Sequence, residues 1–120
     1  MDFSEAIANL CRVPVHHRTG TKSSLQLVKE SGALEHVSVL AVSKIGEFIG
    51  HNSNLVDEWL NWSNNKRTSS GWYFTTENDG YVVGFSPNGE TLHFDQPVTA
   101  CSEFIIREFR SIAFSDSGQA

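Results

Sequence analysis

The chain of 120 residues predicts an α+β fold: N-terminal helices, then an antiparallel β-meander of three strands, or four, then a C-terminal helix, packed as a two-layer sandwich. Three features predict it. Apolar residues recur at helical spacing in several segments before Ser63. Between Gly71 and Asp95 the stretch GWYFTTENDGYVVGFSPNGETLHFD alternates bulky apolar and polar residues around two turn signals. After Pro97 the helical spacing returns.

The meander organises the rest. Residues 71–76 and 81–86 are rich in aromatic and β-branched types, which suit a pleated, half-buried surface. Glu77-Asn78-Asp79-Gly80 tolerates the positive φ of a hairpin loop, placed at Asn78-Asp79 or at Asp79-Gly80. Ser86-Pro87-Asn88-Gly89 is the second turn signal. A two-residue loop at Asn88-Gly89 sets Phe85 opposite Leu92 and Val83 opposite Phe94. One face then collects Trp72, Phe74, Tyr81, Val83, Phe85, Leu92 and Phe94, and the other holds Tyr73, Thr75, Val82, Gly84, Thr91 and His93. A slip of one residue would move the apolar set into water, so the facing is well specified. A three-stranded sheet with such a face must be covered. The last helix and the helix bearing Trp59 are the expected cover, which leaves the second face exposed or facing a partner.

The helices follow in order. Residues 3–11 carry Phe3, Ile7, Leu10 and Cys11 at helical spacing, with Asp2 as cap and Pro14 as terminator. Val13 to Ser23 is expected to be irregular. A short helix spans 24–31, from Ser23 or Ser24 to a stop at Gly32. Ala33 to Ile49 has an amphipathic helical pattern through Leu34, Val37, Leu40, Ala41, Ile45 and Phe48; Gly46 weakens its last turn and Gly50 sits at the C-cap. Val37–Val42 also suits a strand. Asn52-Ser53-Asn54 caps a helix with the stripe Leu55, Val56, Trp59, Leu60 and Trp62, ending in a polar loop from Ser63 to Ser70. Thr99 starts the last helix, with Cys101, Phe104, Ile105, Phe109 and Ile112 inward and Glu103, Arg107 and Arg110 outward. One domain is expected over 1–114, with 115–120 as a flexible tail.

Hydrophobic content of 39% and charge of 19% are ordinary for a soluble domain. The opening Met-Asp-Phe-Ser-Glu has neither a basic leader nor a long apolar run, and no segment reaches the length of a membrane span. A cytoplasmic protein with no membrane contact is expected. The net charge is −5; residues 51–120 hold nine acids against four bases, so they account for all of it. That imbalance disfavours nucleic acid, whose phosphates need a basic face, and suits a basic protein partner.

No residue pattern points to a cofactor or a metal. Cys11 and Cys101 lack metal-ligand spacing and are expected to be buried free thiols. His16 and His17 are adjacent, which suits one metal ion poorly. His93, two residues before Asp95, shares a strand face with it, and a carboxylate beside an imidazole favours acid–base chemistry. No nucleophile is assigned beside it. Trp62, at the edge of its helical stripe, suits a core rim or an interface anchor.

The stretch Ser70 to Ile112 combines a GWYF strand, a hairpin, a Tyr-Val-Val strand, a short third strand and an ACSEFI helix. In this, and in size and acidity, the chain resembles the immunity proteins of bacterial polymorphic toxin systems, including those of contact-dependent growth inhibition. The resemblance implies a cytoplasmic, non-enzymatic protein that binds a cognate toxin domain, often a nuclease, and occludes its active site. It carries no motif that assigns residues. The charge count places the expected acidic patch among Asp57, Glu58, Glu77, Asp79, Glu90 and Asp95, with Trp62, Tyr73 and His93 as anchors. A monomer or weak homodimer is expected. The alternatives are a small acidic secretion chaperone or adaptor, and a small enzyme using His93.

Overall fold

The computed structural model describes residues 2–36, 41–66, 71–86 and 89–118. In chain order the elements are α1 (Phe3–Cys11), α2 (Val13–Thr19), α3 (Ser24–Ser31), a 3-10 turn (Ala33–His36), α4 (Val42–Gly50), α5 (Asn54–Lys66), β1 (Gly71–Glu77), β2 (Gly80–Ser86), β3 (Thr91–Phe94) and α6 (Pro97–Gly118). Helices precede an antiparallel meander in the order β1-β2-β3, and a helix closes the chain. This is the α+β arrangement that the sequence predicts.

The local chemistry explains most element boundaries. Asp2 caps α1, its Oδ1 accepting from the Glu5 N–H at 2.8 Å. Ser23 does the same for α3, accepting from the Gln26 N–H at 3.2 Å, and Gly32 ends that helix at φ 85. Pro14 opens α2 instead of leaving an irregular segment. It sits in the first turn, where no N–H partner exists to be lost and a fixed φ favours the helix. Ala33 to Ile49 is not one continuous helix. A 3-10 turn comes first, Ala41 is extended at φ −132, and α4 starts afresh at Val42. Positions 37–40, where helix and strand compete in the sequence, lie outside the described residues, as do Arg67 to Ser70. α5 runs on to Lys66, past the predicted end at Ser63, and Ser63 is buried within it.

The β1–β2 register pairs Phe74 with Val83 and Trp72 with Phe85, and closes at Glu77 opposite Gly80. The loop is therefore Asn78-Asp79, with Asn78 in the left-handed region at φ 52. The second turn is longer than predicted. Val83 pairs with Leu92 and Tyr81 with Phe94, two residues from the expected pairing. The Phe85 N–H donates to the Glu90 carbonyl at 3.0 Å, which leaves four residues, 86–89, in the loop. A two-residue loop would demand a ladder N–H from position 87, and proline has none. Pro87 and Asn88 themselves lie outside the described residues. A shift of two preserves every facing, so the core face survives the error.

That face is covered as expected. α6 packs on all three strands and α5 on β1. Phe74 and Val83 are fully buried, and the Phe74 ring stacks on Phe104 of α6 at 5.7 Å between centroids. Burying a phenylalanine of this kind contributes about 2–3 kcal/mol. Trp59 meets Phe104 edge-on at 5.8 Å and donates its Nε1–H to the Cys11 carbonyl at 2.8 Å. One side chain thus fills the core and satisfies a carbonyl at the end of α1. The other side of α6 packs on α4, so Cys101, Ser102, Phe104, Ile105, Ile106 and Glu108 are all buried. α6 is sheathed more completely than its single predicted stripe.

The edge of β1 is sealed. The Phe74 N–H points away from β2 and donates to Ser63 Oγ of α5 at 2.7 Å, both groups being buried. An uncovered strand edge invites pairing with other chains, and α5 removes that liability.

Candidate partner-binding surface

The short connection between α5 and β1, and the Ser63–Phe74 contact, make α5 run back along β1 in the opposite direction. The first turn of α5 lies beside α2, through Glu58 and Arg18. Asp57 is exposed there. Glu58 is half-buried and held by a bidentate ion pair to Arg18 of α2, with Nε to Oε1 at 3.1 Å and Nη2 to Oε2 at 2.7 Å. Its hydrogen bond, then its charge, push the Arg18 pKa further up. Trp62 is half-buried where α2, α5 and α6 meet. Its Nε1–H donates to Glu108 Oε2 at 3.2 Å, and the His17 ring lies edge-on at 5.2 Å. This side chain is part of the core rim.

At the hairpin end, four of the candidate residues come together. Glu77 closes β1, Asp79 is in the loop, and Tyr81 pairs with Phe94, so Asp95 falls beside the loop. His93 Nδ1 lies 3.9 Å from Glu77 Oε2, an attraction that operates only when the imidazole is protonated. Glu77 thus supplies the neighbour that spacing assigns to Asp95. Glu77, Asp79, His93 and Asp95 are all exposed. Among the described residues, no lysine or arginine pairs with Glu77, Asp79 or Asp95.

The outer face of the sheet is less open than predicted. Val82 on the central strand is only 3% exposed, flanked by Thr75 and His93 on the neighbouring strands. Tyr73 lies across Gly84: a Cβ added to that glycine would sit 2.5 Å from the Tyr73 hydroxyl oxygen. The glycine is what lets the ring lie flat on the sheet. Tyr73 is about 13 Å along the strand from Glu77, at 3.3 Å per residue.

Glu90 belongs elsewhere. At the opposite end of the sheet its Oε1 accepts from Arg107 Nη1 at 2.9 Å, and Arg107 Nε donates to Glu103 at 3.2 Å. The Arg107 guanidinium also sits over the Trp72 ring, 4.8 Å from its centroid, and Phe85 meets that ring edge-on at 5.2 Å. Phe85 is 39% exposed, so it leaves the core face at the sheet's end. The sequence places Trp72 and Phe85 inside and Arg107 outside, and does not bring them together. The Glu103–Arg107 spacing of four was legible; the rest follows only from where α6 crosses the sheet.

The predicted residues thus occupy four places. Asp57 is exposed on the first turn of α5. Glu77, Asp79, His93 and Asp95 lie at one end of the sheet, with Tyr73 on the face leading to it. Glu58 and Trp62 are tied into the helical layer, and Glu90 is tied to Arg107. A separate cleft of about 520 Å³, lined by residues including Asn9, Val13, His16, Lys22 and Glu30, opens between α1, α2 and α3. Lys22 and Glu30 form an ion pair there. Cys11 and Cys101 are fully buried in the core as free thiols; burial pushes the Cys11 thiol up to about 12 and that of Cys101 up as well. A thiol held protonated is a poor nucleophile and a poor metal ligand. No helix among the described residues is long and apolar enough to cross a membrane. No protein-family model, curated protein or solved structure matches the chain.

Proposed function

We propose that the chain is an immunity-type inhibitor: it binds a cognate toxin domain, a nuclease, and neutralises it by covering the active site. One observation carries the reading. Glu77, Asp79 and Asp95 gather at the hairpin end without a lysine or arginine partner among the described residues. Clustered exposed carboxylates repel one another, and they steer a basic surface toward them over several ångströms. A nuclease cleft that binds phosphates is such a surface. Tyr73 and His93 supply the amphipathic contacts that interfaces favour. The acids of Glu58 and Glu90 already have arginine partners, so their part in binding is smaller.

A secretion chaperone would present an apolar groove, and Phe85, at 39% exposed, is a single large apolar side chain and not a groove. A small enzyme using His93 would need a nucleophile at hand, and both thiols lie in the core. Neither alternative gains from a specific feature of the surface.

The test is capture from the native host. The tagged chain is isolated at low salt, the bound proteins are identified, and the partner's nuclease activity is titrated with the chain. Stoichiometric loss of activity is expected. A captured partner whose activity is untouched at saturation would remove the inhibitor reading.

A further inference from the structure

We infer that β3 receives an extended, basic segment of the partner as a fourth strand, joined to its open edge by backbone hydrogen bonds. This rests on the proposal that the hairpin end meets a basic partner. The direction of the backbone groups supports it. Because the Phe74 N–H turns toward Ser63, Tyr73 and Thr75 turn theirs toward β2. Gly84 and Val82 answer them, so Tyr81, Val83 and Phe85 face β3, as the Phe85-to-Glu90 bond shows. Leu92 and Phe94 pair inward with Val83 and Tyr81. The N–H and C=O of Thr91 and His93 are left pointing away from the sheet.

The two edges of the sheet are treated differently. α5 covers that of β1 with Ser63. Among the described residues the main packing against β3 comes from β2 and α6, and α6 lies on the core face. Among the described residues no backbone hydrogen bond reaches the amide of Thr91 or His93. β3 carries neither lysine nor proline, the usual guards of a free edge. Side chains alternate along it: Leu92 and Phe94 are half-buried on the core side, and Thr91 and His93 are exposed on the outer side. Asp95, Glu77 and Asp79 stand at one end of that outer side. A strand that alternates apolar and basic residues matches both sides at once. A second copy of this chain brings a net charge of −5 to another of −5, so opposite charge favours the basic segment.

The probe is a capped peptide alternating lysine and valine, titrated into the isotope-labelled full chain and followed by amide shifts and amide exchange. Slowed exchange at Thr91 and His93 is expected. Thr91→Pro and His93→Pro each remove one outward N–H and leave the β2 ladder intact, so each should weaken binding roughly fivefold. The wild-type exchange measurement stands even if a proline variant unfolds β3. The matching glutamate–valine peptide should not bind. Equal binding of that peptide, or shifts confined to other elements, would overturn the pairing. So would protection of the two amides that appears without peptide and grows with protein concentration, since the occupant would then be a second copy. A captured toxin that binds the proline variants at wild-type affinity would overturn the strand and leave the inhibitor reading intact. Protection by the lysine peptide with no toxin ever inhibited would support the strand and remove the inhibitor reading.

Discussion

Ser63→Ala tests the joint between the helical layer and the sheet. The substitution removes one oxygen and leaves the buried Phe74 N–H, now 2.7 Å from Ser63 Oγ, with no acceptor. Stranding a buried amide costs about 1–3 kcal/mol. Alanine is a better helix former than serine by about 0.5 kcal/mol, which offsets part of the loss within α5. The net expectation is a destabilisation of about 1–2 kcal/mol. With a urea dependence of roughly 1–3 kcal/mol per molar for a small domain, the unfolding midpoint should fall by about 0.5–1.5 M. Two measurements check it: equilibrium urea unfolding, and amide exchange at Phe74, which should accelerate relative to its neighbours. A loss below about 0.5 kcal/mol, with Phe74 exchanging as in the parent chain, would refute the claim that this bond seals the β1 edge.

Three further outcomes follow from named contacts. Gly46→Ala should stabilise the chain by about 0.5–1 kcal/mol in thermal unfolding, because a Cβ there meets Ser102 Oγ at an ordinary 3.5 Å while the helix gains propensity. Gly84→Ala should do the opposite: its Cβ would overlap the Tyr73 ring, so Tyr73 must swing off the sheet, seen as increased tyrosine exposure and a loss of about 1–3 kcal/mol. Cys11 should resist thiol reagents in the native state, and stability should fall as pH rises above about 9. The sign follows from a folded-state thiol pKa raised to about 12 from a usual 9.0: below 9.0 both states hold the proton, and above it only the unfolded chain releases it. Urea unfolding across that range should show a smaller alkaline loss for Cys11→Ala than for the parent chain.

Features set by neighbouring residues were legible in the sequence. The caps at Asp2, Ser23 and Gly32, the Asn78-Asp79 hairpin and the alternation through Phe74 and Val83 each depend on a few adjacent positions, and each forms as expected. Errors arose where one residue type serves two purposes. Pro14 can end one helix or begin the next, and here it begins one. Asn88-Gly89 signals a two-residue loop, but Pro87 before it lacks the N–H such a loop requires. Long-range relations were the least visible. Nothing local says that Ser63 meets Phe74, that Arg18 claims Glu58, or that Phe85 escapes cover at the end of the sheet. The candidate surface shows the same division. Alternation places Tyr73 and His93 on one face, whereas the approach of Glu77 to His93 and the ion pairs that set Glu58 and Glu90 apart require the folded arrangement.

The claim at the centre is that carboxylates at the hairpin end draw in a basic partner. Its most direct test is the association rate of the captured toxin domain across a range of ionic strength, for the parent chain and for the double variant Glu77→Lys, Asp79→Lys. Reversing two uncompensated charges should slow association by about tenfold or more at low salt and flatten its salt dependence. A rate and a salt slope identical to those of the parent chain would place the toxin on another surface.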